Sequence, residues 1–261
     1  MHQAVRNESS RAAEPPPRIP FVLQGAVAGV LFCAAGAAHA QAAGSVVLST
    51  GWMHVAPQVS TDPMHSTIGL GGGSFPRTDK KISSQVGAAN TLGLTVTYFV
   101  TDHIAAELAA GVPPRFRING AGSIESYGQL GSARMWSPAV LLKYYFRPAT
   151  AAFRPYVGLG ASYVWFTDGK ITNDAFRRQR LGGDTEVSVS KGLSPVFNVG
   201  MSYAFASNWY AGVSVSYLPM RRTLTLTTPR AATPFGTASV KSEVRTQLNP
   251  IVAYLSIGYR F

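Results

Sequence analysis

Three charged side chains fall where the sequence predicts an enclosed interior, and they are Glu107, Lys143 and Arg260. Each occurs in a segment where apolar residues alternate with small or polar ones, and each lies on the polar side. A charge removed from water is costly unless it is paired, so we expect these groups to pair with one another or with water. They would then form either a polar barrier that orients a substrate or a structural ion-pair network that fills the interior.

The other polar residues indicate neither a metal site nor catalysis. His54, His65 and His103 lie far apart in the sequence and lack the spacing of metal ligands. The sequence contains no G-x-S-x-G nucleophile motif and no paired-carboxylate motif. We therefore expect no enzymatic activity and no cofactor.

Eight segments of alternating residues must position the three charges. Successive side chains of a strand point to opposite faces, so each segment predicts one face toward lipid and one toward an interior. The segments are residues 45–55, 91–100, 103–112, 135–146, 154–166, 194–205, 209–218 and 249–261. Besides the three charges, the predicted lumen or substrate path comprises Ala109, Leu141, Tyr145, Tyr210, Ser216 and Tyr254.

The connections between these segments alternate in length. Residues 101–102, 147–153 and 206–208 are short, whereas the other four connections are long. Long external loops and short periplasmic turns are typical of outer-membrane barrels. No apolar run after residue 40 is long enough for a spanning helix, and an open sheet would leave backbone groups unpaired in hydrocarbon. The sequence predicts an all-β protein, an eight-stranded antiparallel transmembrane β-barrel, whose narrow interior excludes a wide aqueous pore.

Residues 1–40 have the features of a secretory signal peptide. Arg18 precedes an apolar stretch over residues 21–38, and Ala38 and Ala40 provide the small residues that a signal peptidase requires. We predict cleavage after Ala40, a barrel over residues 41–261, and a location in the outer membrane of a Gram-negative cell. A retained N-terminal anchor is the alternative.

The chain is strongly basic, with a formal net charge of +11. Export makes nucleic acid an unexpected partner, and the basic residues fall mainly between the predicted strands. The basic residues assigned to external loops are Arg177, Arg178, Arg180, Arg221, Arg222, Arg230, Lys241 and Arg245. We expect either contact with lipopolysaccharide phosphates or an ordinary solvated surface.

Four ordered motifs, at residues 90–98, 101–108, 153–160 and 258–261, resemble the OmpW family of outer-membrane proteins. The resemblance implies a narrow, mainly hydrophobic lumen that passes or binds small apolar molecules, with sideways release into the membrane as one route. Family members can narrow the lumen with bulky apolar residues on the third and seventh strands, where this chain has Ala109 and Ser216. A constriction would then come from Leu141, Tyr145, Tyr210 or Tyr254, or from a loop that folds inward.

Two functions follow from this sequence. The first is a narrow channel or carrier for small hydrophobic molecules. The second is a plugged structural or surface-interaction barrel whose basic loops contact lipopolysaccharide or external ligands. In both cases the barrel lies in outer-membrane lipid, and we expect Tyr259 and Phe261 of the last strand to be the signal for the outer-membrane assembly machinery.

Overall fold

A computed structural model describes residues 41–61, 64–70, 73–79, 82–233 and 236–261. In these ranges the strands are, in chain order, β1 Val46–Ala56, β2 Val59–Thr61, β3 Met64–Leu70, β4 Gly73–Asp79, β5 Ile82–Val86, β6 Ala89–Phe99, β7 Ile104–Gly111, β8 Arg115–Gly122, β9 Gln129–Trp136, β10 Ala139–Tyr145, β11 Phe153–Ile171, β12 Glu186–Val189, β13 Gly192–Ala204, β14 Trp209–Tyr217, β15 Met220–Thr233, β16 Gly236–Leu248 and β17 Ile251–Arg260. The helical segments are a 3-10 turn Glu125–Tyr127, a short α-helix Asp174–Phe176 and a π-helical turn Arg177–Leu181. None of the helices in this part of the chain is long and apolar enough to cross a membrane.

A closed ring of eight strands forms the barrel. Its order is β1, β6, β7, β10, β11, β13, β14 and β17, and all eight neighbouring pairs are antiparallel. Pairing between β17 and β1 joins the last strand to the first, so this part of the wall has no open edge. The predicted eight-stranded antiparallel barrel is confirmed.

The alternation of side chains follows the sequence prediction on the ring strands. On β6, Leu94 is 46% exposed on the outside, whereas the next residue, Thr95, is 5% exposed on the inside. The outward positions of the other ring strands likewise carry exposed apolar residues, for example Leu142 and Leu159. An apolar outer wall is what a strand in contact with lipid requires.

The long connections contain strands that the sequence analysis did not predict. Strands β9, β8 and β5 extend the sheet from the C-terminal part of β11. A second sheet contains β12, β15, β16, β3 and β4 in that order, and β2 pairs with β16. The predicted strand over residues 135–146 is also divided, because β9 ends at Trp136 and β10 begins at Ala139. Pro138 lies in this break and has no backbone N–H for a sheet ladder.

The short turns and the described chain ends meet at one end of the ring, here called the lower end. Backbone hydrogen bonds join Gly44 to Phe99, Arg260 to Asn208, and Phe261 to Val46. The extra strands lie at the opposite, upper end. The predicted cleavage residues Ala38 and Ala40 lie outside the described residues, so the signal peptide stays a prediction.

Candidate functional site

Two cavities of different character lie in this structure. The lower cavity, within the ring, has about 470 Å³ of free space, part of it open to solvent, and is lined largely by polar side chains. The upper cavity has about 730 Å³ of free space, also partly open to solvent, and is lined mainly by apolar side chains, many of them from the extra strands. An apolar layer of buried side chains lies between them.

The lower cavity is built around the ion pair between Glu107 and Lys143. The Lys143 Nζ lies 2.5 Å from the Glu107 Oε2, which also accepts a hydrogen bond of 2.8 Å from the Thr97 hydroxyl. Both charged residues are buried, with exposed fractions of 8% and 5%. The Lys143 ammonium also lies 4.4 Å from the centroid of the Tyr156 ring. Each charge therefore has partners in a site from which most water is excluded.

Arg154 lies below this cavity, where it contacts the lining residue Gln41, and it is not among the residues selected from the sequence. Its side chain is 1% exposed and donates to the side-chain oxygen of Gln41 at 3.0 Å and to the backbone oxygens of Gln41, Asp102 and Arg147. Its guanidinium carbon lies 4.6 Å from the centroid of the Tyr145 ring. Arg154 lies on the same face of β11 as Ser162, which is fully buried, so the alternation contained the signal that could have found Arg154.

The remaining predicted lumen residues of the lower half lie at different places around the lower cavity. Tyr145 belongs to the cluster around Arg154, and Tyr210 and Tyr254 line the lower cavity. Arg260 does not join the Glu107–Lys143 pair, because its Nη2 donates to the Asn208 side-chain oxygen at 2.9 Å. The structure thus brings together two of the three predicted charges and places the third at the lower turn.

The apolar layer separates the cavities. On β10, Lys143 and Tyr145 line the lower cavity, whereas Leu141, nearer the upper end, belongs to the layer. Along β17 and the residue that precedes it, the order is Tyr254 in the lower cavity, Val252 against the layer and Pro250, just before the strand, in the upper cavity. The other buried members of the layer include Val55, Phe116, Val164, Val196 and Met220.

The two positions where the resemblance implied bulky constricting residues behave differently from each other. Ala109 packs against the apolar layer. Ser216 accepts a hydrogen bond of 2.8 Å from the Asn198 side-chain nitrogen and is not a member of the layer. The narrow part of the interior is therefore filled by Leu141 together with residues from beyond the ring, such as Phe116 and Met220.

The upper cavity is formed mainly by segments that the sequence analysis treated as loops. Its apolar lining includes Val86, Phe116, Met135, Phe166, Leu224 and Leu248. Strands β5, β8, β9, β15 and β16 supply five of these six residues. Tertiary pairing of the connecting segments creates this site, so the eight predicted strands alone could not reveal it.

One charged residue, Arg222, is found among the residues that line the upper cavity. The sequence analysis assigned Arg222 to an exposed loop, and this prediction is wrong, because the side chain is 8% exposed. Its Nη2 donates to the Gly192 backbone oxygen at 3.0 Å and to the Ser194 hydroxyl at 2.7 Å, and its Nη1 donates to the Arg221 backbone oxygen. Burial lowers the pKa of Arg222 from its ordinary value. Arginine titrates so far above neutrality that the group still carries its charge.

The family model for the OmpW family matches residues 42–261. The chain belongs to the OmpW family. Outer membrane protein W of Vibrio cholerae is 32% identical over 192 residues, which are 70% of this chain and 81% of that protein. Outer membrane protein AlkL of Ectopseudomonas oleovorans is 27% identical over 74% of each chain. The crystal structure of OprG from Pseudomonas aeruginosa has the same fold, with a TM-score of 0.71 and 24% identity over 86% of this chain and 99% of that one.

Membership of the OmpW family gives the exposed apolar residues of the ring a clear setting. The chain is an outer-membrane barrel, so these residues face lipid. At the lower end, the rings of Trp209, Tyr259 and Phe261 form a continuous edge-to-face cluster with centroid distances of 5.1 and 5.0 Å. This places the two predicted assembly residues together, and their role in assembly stays a prediction.

The other basic residues at the upper end of this OmpW-family barrel are mostly exposed. Arg177 lies 2.7 Å from Asp174 and 3.4 Å from Asp184. Lys241 forms a hydrogen bond with Glu243 at 2.8 Å, and this contact lowers the pKa of Glu243. Of the other basic residues that the sequence assigned to external loops, those without a salt bridge to a described carboxylate are Arg178, Arg180, Arg221, Arg230 and Arg245.

Proposed function

We propose that this OmpW-family barrel is a narrow channel or carrier for small hydrophobic molecules, which it binds in the upper cavity. The observation that carries this proposal is the apolar lining of that cavity, which includes Phe116, Met135 and Phe166. An apolar molecule gains roughly 25 cal/mol for each Å² of its surface that leaves water, so such a lining favours its binding.

The lower half of the barrel supports sideways release rather than passage along the axis. An apolar molecule below Leu141 would meet the Glu107–Lys143 pair and would remove water from it without supplying new partners. At the lower end it would also meet the buried Arg154, which is hydrogen-bonded to the turns at Asp102 and Arg147. The wall offers an alternative, because the ladder between β13 and β14 extends upward only to the pair Phe197–Tyr217. Release toward lipid near this position fits the structure better than release toward the lower end.

Two more distant relatives support an aromatic or otherwise apolar substrate class. Each is 24% identical to this chain over 172 residues, and both carry the name dibenzothiophene metabolism operon protein. Dibenzothiophene is a flat, uncharged aromatic molecule. A molecule of this type would match the apolar side chains of the upper cavity.

The proposal can be tested in Gram-negative cells that produce the protein and keep an intact lipopolysaccharide layer. The measurement is the rate at which N-phenyl-1-naphthylamine, an apolar fluorophore, reaches the membrane interior and becomes fluorescent. We expect cells with the barrel to take it up faster than cells without it. Ser84→Trp should remove most of the increase because Ser84 lines the upper cavity.

Gln85→Trp is the matched control, since Gln85 is the next residue on β5 and is exposed on the opposite face. Both variants must be compared at equal amounts of folded protein in the outer membrane. An uptake rate equal to that of cells without the barrel would contradict the channel or carrier function. Equal slowing by both substitutions would contradict the role of the upper cavity.

The second candidate function, a surface-interaction barrel, is favoured by the exposed arginines without a salt bridge, such as Arg178 and Arg221. Guanidinium groups bind phosphate oxygens well, and lipopolysaccharide presents many of them. This function predicts no increase in fluorophore uptake. The same experiment therefore separates the two candidates.

A further inference from the structure

We propose that the upper cavity selects amphipathic carboxylates, with the carboxylate at Arg222 and the hydrocarbon chain among the apolar residues. This inference rests on the proposed function, since it specifies the chemical class that the same cavity prefers. The ligand class is that of a medium-chain fatty acid. The hydrogen bonds of the Arg222 guanidinium are the first observation that favours this class.

Both terminal nitrogens of Arg222 make hydrogen bonds, whereas the Nε makes none to the described residues. A guanidinium has five N–H donors. The Nη1 and Nη2 atoms make three hydrogen bonds, to Arg221, Gly192 and Ser194. The Nε is buried and has no hydrogen-bond partner among the residues that the structure describes. Buried donors are nearly always satisfied, so a group that reaches this atom would remove a penalty.

The structural role of Arg222 explains the three bonds that exist. Gly192 and Ser194 lie on β13 beyond its last pairing with β14 at Phe197. The guanidinium takes the place of a neighbouring strand at this part of the wall, because it donates to the Gly192 backbone oxygen. Satisfying the Gly192 backbone oxygen requires a hydrogen-bond donor but no charge, so a neutral side chain such as glutamine could do it. The Nε and the net positive charge are what remains unexplained.

The surroundings of Arg222 favour an anion over a neutral molecule. No salt bridge links Arg222 to a carboxylate of the described residues, and it is the single charged group in the described lining of the cavity. The other polar side chains in that lining are Ser84 and Thr246, which carry no charge. A carboxylate would neutralise the guanidinium and accept from one of its unused N–H groups, and its chain would cover Leu224 and Leu248. A neutral apolar molecule would cover the two leucines but would not neutralise the guanidinium.

The two charged sites of the interior support this assignment by contrast. Lys143 is as deeply buried as Arg222, and it has Glu107 as a partner on the adjacent strand. Arg154, the other deeply buried cation of the lower half, has no carboxylate partner among the described residues but uses its Nε, Nη1 and Nη2 in hydrogen bonds to Gln41 and to backbone oxygens. At Arg222 the corresponding acid is missing from the described residues, and the place beside it is an apolar cavity.

Methionine methyl groups provide a direct test with the full protein in lipid nanodiscs. With ¹³C-labelled methionine methyls, Met135 reports on the upper cavity, and Met201, which is exposed on the outer wall, reports on ligand dissolved in the lipid. The probes are octanoate, 1-octanol and octylammonium, which share a chain and differ in charge. We expect the Met135 signal to shift with octanoate at about ten-fold lower concentration than with octanol, as one charge-assisted hydrogen bond implies. Octylammonium should bind more weakly than octanol.

Variants at Arg222 sharpen the assignment. In Arg222→Met the preference for octanoate over octanol should disappear, whereas Arg222→Lys should keep part of it because the charge remains. The three-ligand order in the unchanged protein needs no variant, so the inference is testable even if Arg222→Met fails to fold.

The outcomes separate this inference from the function on which it rests. Tighter binding of octanoate than of octanol at Met135 supports the inference. Binding of octanol as tight as that of octanoate overturns it and leaves the hydrophobic carrier intact. Shifts confined to Met201 with all three ligands overturn both. An unchanged octanoate preference in a folded Arg222→Met variant also overturns the role of Arg222.

Discussion

Lys143 in the lower cavity and Arg222 in the upper cavity are both buried cations, and they are satisfied in different ways. Lys143 meets a carboxylate from a neighbouring spanning strand at 2.5 Å. Arg222 meets backbone and hydroxyl oxygens and leaves its Nε without a partner. A spanning site with complete pairing holds the wall together, whereas an incompletely paired site beside an apolar cavity is suited to a ligand.

Strand register explains why the lower pair forms. On the β7–β10 ladder, Lys143 lies opposite Ala105, and Glu107 lies opposite Leu141. Glu107 and Lys143 are therefore diagonal neighbours on the inner face, two positions apart. Long side chains can bridge that separation, and both ends of this pair are long. Arg222 has no acidic neighbour of this kind among the described residues, because β15 lies outside the ring. Two of its hydrogen-bond partners come from β13, across the wall.

The largest effect should come from breaking the lower pair. Glu107→Ala would leave the Lys143 ammonium buried without its carboxylate, and we expect the free energy of unfolding to fall by about 3–5 kcal/mol. Thr97 would also lose its acceptor. Denaturant-induced unfolding of the protein in lipid bilayers, followed by fluorescence, provides the measurement.

The double variant Glu107→Gln/Lys143→Met is the control for this experiment, since it removes both charges at similar side-chain volume. It should recover most of the lost stability, because neither charge is then left alone. A single variant within about 1 kcal/mol of the unchanged protein would mean that the ammonium finds water or another partner.

The contrast between Glu107 and Arg222 also marks how far the sequence could predict this structure. On a spanning strand one face meets lipid, so alternation alone places Glu107 and Lys143 inside. Arg222 was assigned to an exposed loop because its segment was not treated as a strand. Yet Leu224 and Leu226 alternate with threonines directly after it, and this period-two pattern was the available signal.

Other features of the site depend on contacts that no local pattern contains. The upper cavity brings together Val86, Met135 and Leu248 from three distant strands. The Arg154 cluster needs Gln41, which lies more than 100 residues earlier in the chain. Sequence alternation identified the wall, while the pairing of the long connections determined what lies above it.

An intermediate effect should follow from opening the apolar layer between the cavities. Leu141→Ala removes a buried side chain of that layer, and we expect a loss of about 3 kcal/mol from lost packing and the resulting void. The variant should also conduct ions more readily in planar bilayers, because the constriction at Leu141 is widened.

Leu142→Ala is the matched control, since Leu142 is the next residue on β10 and is 59% exposed on the lipid face. It should destabilise the barrel less and leave conductance unchanged. Equal conductance in the two variants would contradict the separation of the cavities by the apolar layer.

The smallest effect should come from an exposed pair of the same residue types. Lys241 and Glu243 lie 2.8 Å apart on β16, and both side chains are at least half exposed. Because the contact lowers the pKa of Glu243, its stabilising effect is present above the ordinary pKa of a glutamate and is lost as the pH falls through the lowered pKa. Lys241→Gln should return the pKa of Glu243 to its ordinary range without a measurable change in unfolding midpoint, since water screens the charges. Carboxyl-carbon NMR titration measures the pKa of Glu243, and denaturant unfolding measures the midpoint.

A loss of stability comparable to that of Glu107→Ala would show that burial does not distinguish the two lysine–glutamate pairs. The comparison between the cavities would then lose its physical basis.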